Sequence, residues 1–244
     1  MAVEAKGDGR GALEYLKRAV ALDPKMTKVY FAIGSIAEGW CGVDDGDVLC
    51  QMAIDAYEMV VALEPSREDA WKRLAYASYG IYRTDQAEID YRRALSLDAN
   101  DPEVLGGLAA LEMQAANRNV AQAKVEHKVA TGRELIGSPF CVQVREANLA
   151  RVNEGIAFAT KAREVKNKNV GFMAFLGVLY ATRAQLRCGD LKGFNNDMDA
   201  SKQQWKHLRR KMRQEGDQHL QYIPAGPPPP PPAHHWWNPW SAPD

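Results

Sequence analysis

The chain has 244 residues, 46% of them apolar, which is enough for a substantial buried core plus appendages. Lys plus Arg equals Asp plus Glu at 31 each, so no overall field selects nucleic acid or an anionic membrane. No apolar run reaches the roughly 18–20 residues that span a bilayer, and no GxGxxG, Walker loop, HExxH or GxSxG motif points to catalysis.

The first element is GALEYLKRAVALDP, a half repeat over 11–23 with the apolar spacing of the second helix of a pair. The preceding MAVEAKGDGR does not supply the first helix and lacks the apolar stretch of a signal peptide. The start therefore reads either as a short capping turn or as the interior of a longer gene product. Helix pairs are expected near 26–65, 68–99, 102–134, 139–166 and 169–213, within one helical domain over 11–217. Pro24, Pro65 and Pro102 stop or start helices between pairs, because proline lacks a donor and disfavours a helical residue before it.

Inside the first pair lies GWCGVDDGDVLC. Asp44, Asp45 and Asp47 are too crowded for an EF-hand and lack its closing Glu, so the stretch reads as an acidic loop rather than a calcium site. Cys41 and Cys50 flank it, as a disulfide in an exported protein and as thiols otherwise. Cys141 and Cys188 read as isolated thiols, and the four cysteines show no metal spacing. A second insertion, RCGDLKGFNNDMD, interrupts the last pair. Near the end of that pair, Lys206, Arg209, Arg210, Lys211 and Arg213 surround an apolar stripe of Trp205, Leu208 and Met212, the pattern of a capping helix with a polar outer face. The remainder, 218–244, is expected to be disordered or extended. Pro227 to Pro232 force a polyproline rod of about 3 Å per residue, followed by His234, His235, Trp236, Trp237 and Trp240. The three tryptophans are candidate anchors for an aromatic groove, in this chain or a neighbouring copy. The two histidines have no third ligand nearby, and no metal or cofactor is expected.

A repeat runs through the helical part. Ala53, Ala87, Ala121 and Gly155 stand 34 residues apart, Tyr57 and Tyr91 follow in register, and Ala94 matches Val60 and Ala162. In the first helices, Trp71-Leu74-Ala75 is matched by Tyr30-Ile33-Gly34, by Leu105-Leu108-Ala109, and by Met173-Leu176-Gly177 with Tyr180. Large residues pack between helices. The small ones, Gly34, Ala75, Ala109 and Gly177, are expected to face the small residues of the second helices so that backbones approach closely. No pair buries its apolar face alone, so the pairs must stack.

The stretches WKRLA…QAEIDYRRA and MAFLGVLY resemble the tetratricopeptide repeat (TPR) family over roughly Gly11 to Met212. The last repeats look like those of bacterial TPR proteins found in exported or envelope-associated settings. The resemblance implies an all-α fold, a right-handed superhelical solenoid of helix pairs, whose first helices line a concave groove. Carried onto this sequence, the groove would be lined by Lys28, Phe31, Lys72, Tyr76, Tyr79 and Met113. Tyr76 stands where some TPR domains place a carboxylate-clamping asparagine, so an apolar or proline-rich segment fits better than a free C-terminus.

The expected function is thus a non-catalytic scaffold or adaptor with a protein or peptide partner and no small-molecule substrate. Two alternatives stand beside it: a nucleic-acid or anionic-surface binder working through the basic last helix, which the neutral charge disfavours, and a subunit that self-associates through the Trp tail. As written the chain reads as soluble and cytoplasmic, or as periplasmic or envelope-associated if it is part of an exported protein.

Overall fold

Residues 2–41, 46–128, 135–166 and 169–214 are described by the computed structural model, and the regular structure among them is entirely helical. The acidic loop at 42–45 and the Pro/Trp tail, including Trp236, Trp237 and Trp240, lie outside the described residues. The helical part expected as one domain forms two compact units, Met1–Ala99 and Asn100–Asp244.

The first unit holds α1 (Ala2–Leu22), α2 (Thr27–Glu38), α3 (Gly46–Leu63), α4 (Glu68–Gly80) and α5 (Thr84–Leu97). α2 packs on α3, α4 on α5, and α3 joins the two hairpins. Here short turns and Pro24 and Pro65 set the helix ends, as the sequence indicates. Ala53, Tyr57, Val60, Leu74, Ala75, Ala87, Tyr91 and Ala94 are all buried, and Tyr30 and Trp71 half-buried. Burying a large apolar side chain of this kind contributes about 1.5–3 kcal/mol. The half repeat is corrected: α1 begins nine residues earlier than Gly11, because nothing in VEAKGDGR is a proline, and it docks through Leu13 beside Ile33 and Ala56.

The second unit holds α6 (Pro102–Glu126), a 3₁₀ turn at Leu135–Gly137, α7 (Cys141–Val165), α8 (Val170–Gln185) and α9 (Leu191–Gln214). The pairs expected at 102–134 and 139–166 are not separate hairpins. α6 is one continuous helix that packs along α7. Between Ala109 and Asn119 the chain offers no proline or glycine, so nothing resets the helix, whereas the α4–α5 turn bends through Tyr82 at φ 62°. Continuity also overturns Ala121 as a packing residue. Without a loop to reset the phase, Ala116, Val120 and Ala123 turn inward and Ala121 is exposed. Asp101 caps α6, accepting from the amides of Glu103 (2.6 Å) and Val104 (3.0 Å), with Pro102 at the first helical position.

The small residues do close distances, and at three glycines the first atoms met belong to large side chains. A Cβ on Gly34 would lie 2.6 Å from Cε1 of Tyr57, and one on Gly177 would lie 2.7 Å from Nε1 of Trp205. Each glycine is thus the floor under a flat aromatic ring. Gly155, on α7, meets Glu112 of α6 and Leu179 of α8 at 3.0 Å, and Ala109 and Ala121 share one helix and do not face each other. Leu108, Ala109 and Leu176 are buried and Tyr180 is half-buried.

α9 lays Trp205, Leu208 and Met212 on Val170, Met173, Ala174 and Val178 of α8. The same two helices are tied by the buried Asp197, which accepts from Arg183 (2.6 Å) and Arg187 (2.7 Å).

All four cysteines are paired, Cys41 with Cys50 and Cys141 with Cys188, and none is free. The reading of Cys141 and Cys188 as isolated thiols is therefore corrected. They lie 47 residues apart in sequence, yet the start of α7 and the α8–α9 turn bring their Cα atoms to 5.5 Å.

Candidate functional site

Two strips with the same stagger run along the first helices of consecutive hairpins in the first unit. On α4, Asp69, Lys72, Tyr76 and Tyr79 follow at offsets of three, seven and ten, the stagger that keeps residues on one side of a helix. On α2, Lys28, Phe31, Ser35 and Glu38 follow at the same offsets. Lys28 and Ser35 are exposed, and Phe31, Glu38, Lys72, Tyr76 and Tyr79 are half-buried.

A carboxylate organises the C-terminal part of these strips. Glu38, with 10% of its side chain exposed, accepts from the hydroxyl of Tyr57 (2.8 Å) and from Arg73 (2.8 Å). Ser35 Oγ lies 3.3 Å from the same phenol. Burial first, and the Glu38 carboxylate second, push the Tyr57 pKa up, so it remains a hydrogen-bond donor. Burial also raises Tyr76, with Glu38 and Tyr79 adding to it and Arg73 opposing. Tyr76 thus presents a protonated phenol beside a charged pair.

The N-terminal part is aromatic and basic. Phe31 meets Tyr57 edge-on, with centroids 5.5 Å apart, and the Arg67 guanidinium covers its ring at 4.2 Å. Arg67 is itself anchored by Asp69 at 2.8 Å. Trp71 is turned inward by its indole donating to Pro65 O at 2.9 Å. Part of Phe31 is therefore spent on packing against the core.

Of the expected groove residues, Lys28 and Phe31 lie on the α2 strip and Lys72, Tyr76 and Tyr79 on the α4 strip. Met113 is described within its own unit. It belongs to the second unit and packs against that unit's own core. Ser35, Glu38 and Arg73 were missed. The signal was present for two of them: the 41-residue offset that maps Tyr30 onto Trp71 also maps Ser35 onto Tyr76 and Glu38 onto Tyr79.

The rival surface, the basic side of α9, exposes Lys206, Arg210 and Arg213, while Arg209 and Lys211 are half-buried. Its apolar stripe is fully used against α8. Among the described residues no cluster of three or more His, Cys, Asp or Glu is placed to hold a metal, and no helix is long and apolar enough to cross a membrane.

The helical fold finds a counterpart in solved structures. MamA, a TPR-like helical-repeat protein, matches with a TM-score of 0.57 at 17% identity, over 87% of this chain and 94% of MamA. The fold is a TPR-type helical repeat. A second crystal structure of MamA matches with a TM-score of 0.56 at 17% identity, over 91% of this chain and 92% of the other. No family model and no curated protein sequence matches the chain. At this identity the likeness speaks for the fold alone.

Proposed function

We propose that the chain is a non-catalytic interaction scaffold that holds a segment of a partner protein on the α2–α4 face of its first unit. The observation carrying this reading is the doubled strip: two consecutive first helices carry aromatic and polar groups at identical offsets, each along one side of its own helix. Tyr76 and Tyr79 offer flat apolar area with phenol handles, at small entropic cost because each has two rotatable side-chain bonds. Lys28, exposed on α2, and the Arg73 side chain held by Glu38 add polar and charged groups beside them. The TPR-type fold supports a protein as the partner, since such repeats work by presenting extended faces.

The test is capture from lysate of the source cells by four full-length baits matched for helicity and melting temperature. They are the wild type, Tyr76→Ala/Tyr79→Ala, Glu38→Gln, and Lys206→Glu/Arg210→Glu/Arg213→Glu. A partner held by the wild type and the α9 variant, and lost by the tyrosine variant, is the expected result. Loss in the α9 variant alone would move the site to the basic helix.

A further inference from the structure

We infer that this chain matures by oxidation in a disulfide-forming compartment, where a dithiol–disulfide donor closes Cys141–Cys188 as a covalent clasp on the second unit. Every cysteine of the chain is described, and every one is paired. Compartments held reduced by thiol pools keep such residues as thiols, so two disulfides with no thiol left over mark an oxidising environment. The Cα separations of 4.9 Å and 5.5 Å fall within the roughly 4.4–6.8 Å that a bridge requires.

The clasp also sits at a left-handed turn. Cys188 has φ 27° and Gly189 φ 82°, both left-handed, and a non-glycine residue resists that region. Two hydrogen bonds converge there: Gly189 N donates to Ile136 O (3.1 Å) and Leu135 N donates to Gln185 Oε1 (3.1 Å). The 3₁₀ turn, the first turn of α7 and the α8–α9 turn therefore meet at one node, with the buried Leu135 inside it.

In the closed bridge Cys188 is half-buried and Cys141 is 1% exposed, so Cys188 is the sulfur more open to a donor. The Cys188 thiolate attacks one sulfur of the donor disulfide; the donor S–S bond breaks, a mixed disulfide forms and one donor thiol leaves. Cys141, having lost its proton, attacks the Cys188 sulfur and expels the second donor thiol. Two electrons and two protons end on the donor, which is the only oxidant required.

The test uses the full chain. Source cells are quenched in acid, the protein is unfolded, and free thiols are tagged with a maleimide polymer before and after reduction. No tag before reduction and four after it is the expected result, while a tag on Cys141 or Cys188 before reduction overturns the inference. Hydrogen exchange then compares Cys141→Ser/Cys188→Ser with Cys41→Ser/Cys50→Ser. Amides of 135–141 and 186–190 are expected to exchange at least about tenfold faster in the first variant and at the wild-type rate in the second. Unchanged exchange in the first variant would overturn the clasp even with both pairs oxidised.

Discussion

Single residues in this molecule are decided by space and by charge. Gly34 and Gly177 exist because a methyl group would penetrate the rings of Tyr57 and Trp205. Gly34→Ala and Gly177→Ala are each expected to destabilise by about 1–3 kcal/mol, whereas Gly11→Ala, with nothing within 4 Å, is expected to be neutral or to stabilise by up to about 1 kcal/mol. Thermal unfolding of the three variants separates these outcomes. Asp90 is decided by charge. It is 1% exposed, its Oδ1 accepts from Gln86 at 2.9 Å, and its other oxygen has no partner. Burial, with Glu58 adding, raises its pKa from 3.8 to about 6. Below the lower value both folded and unfolded chains hold the proton and the group is silent. Between the two values the unfolded chain releases its proton first, so stability falls as pH rises, and above about 6 the loss is constant at up to about 3 kcal/mol. Asp90→Asn should match the wild type at pH near 3.5 and exceed it at pH 7 in urea unfolding.

Elements follow from where the chain can and cannot stop. α2 to α5 were legible in the sequence because prolines, glycine and polar turns reset the helix every dozen residues, and the 34-residue spacing of alanines survived each reset. The same spacing misled further on. Ala121 lies 34 residues after Ala87, yet an unbroken helix carries it to the solvent side, and a spacing count alone does not reveal whether a turn intervenes. The glycine partners were illegible for a related reason: small residues announce a close approach but not what approaches. Asp101 is the clearest start signal in the second unit. Asp101→Ala removes the acceptor for two amides and is expected to cost about 1 kcal/mol, read as a lowered urea midpoint with unchanged slope.

On the scale of the whole molecule, two properties were hidden by averages. The neutral total conceals an excess of acidic residues in 1–99 and of basic residues in 100–244. The candidate face, with Glu38 and Asp69, lies in the acidic unit, while α9 lies in the basic one. The Cys141–Cys188 disulfide was hidden because 47 residues separate the two cysteines, and only the fold brings them together. Closing a loop of that length contributes about 4 kcal/mol in the chain-entropy account, so adding reductant to the native protein is expected to lower its melting temperature, and the Cys141→Ser/Cys188→Ser variant to become less sensitive to reductant. The strips on α2 and α4 were half legible: the aromatic members stood out, but the polar members Ser35 and Glu38 needed the inserted seven residues to be subtracted first.

The most direct measurement of the central claim is site-specific photo-crosslinking of the full chain in its source cells, with a benzophenone amino acid at Tyr79 in one strain and at Arg210 in another. The account predicts one discrete protein adduct from position 79, abolished by Tyr76→Ala, and none from position 210. An adduct from position 210 with none from position 79 would contradict it.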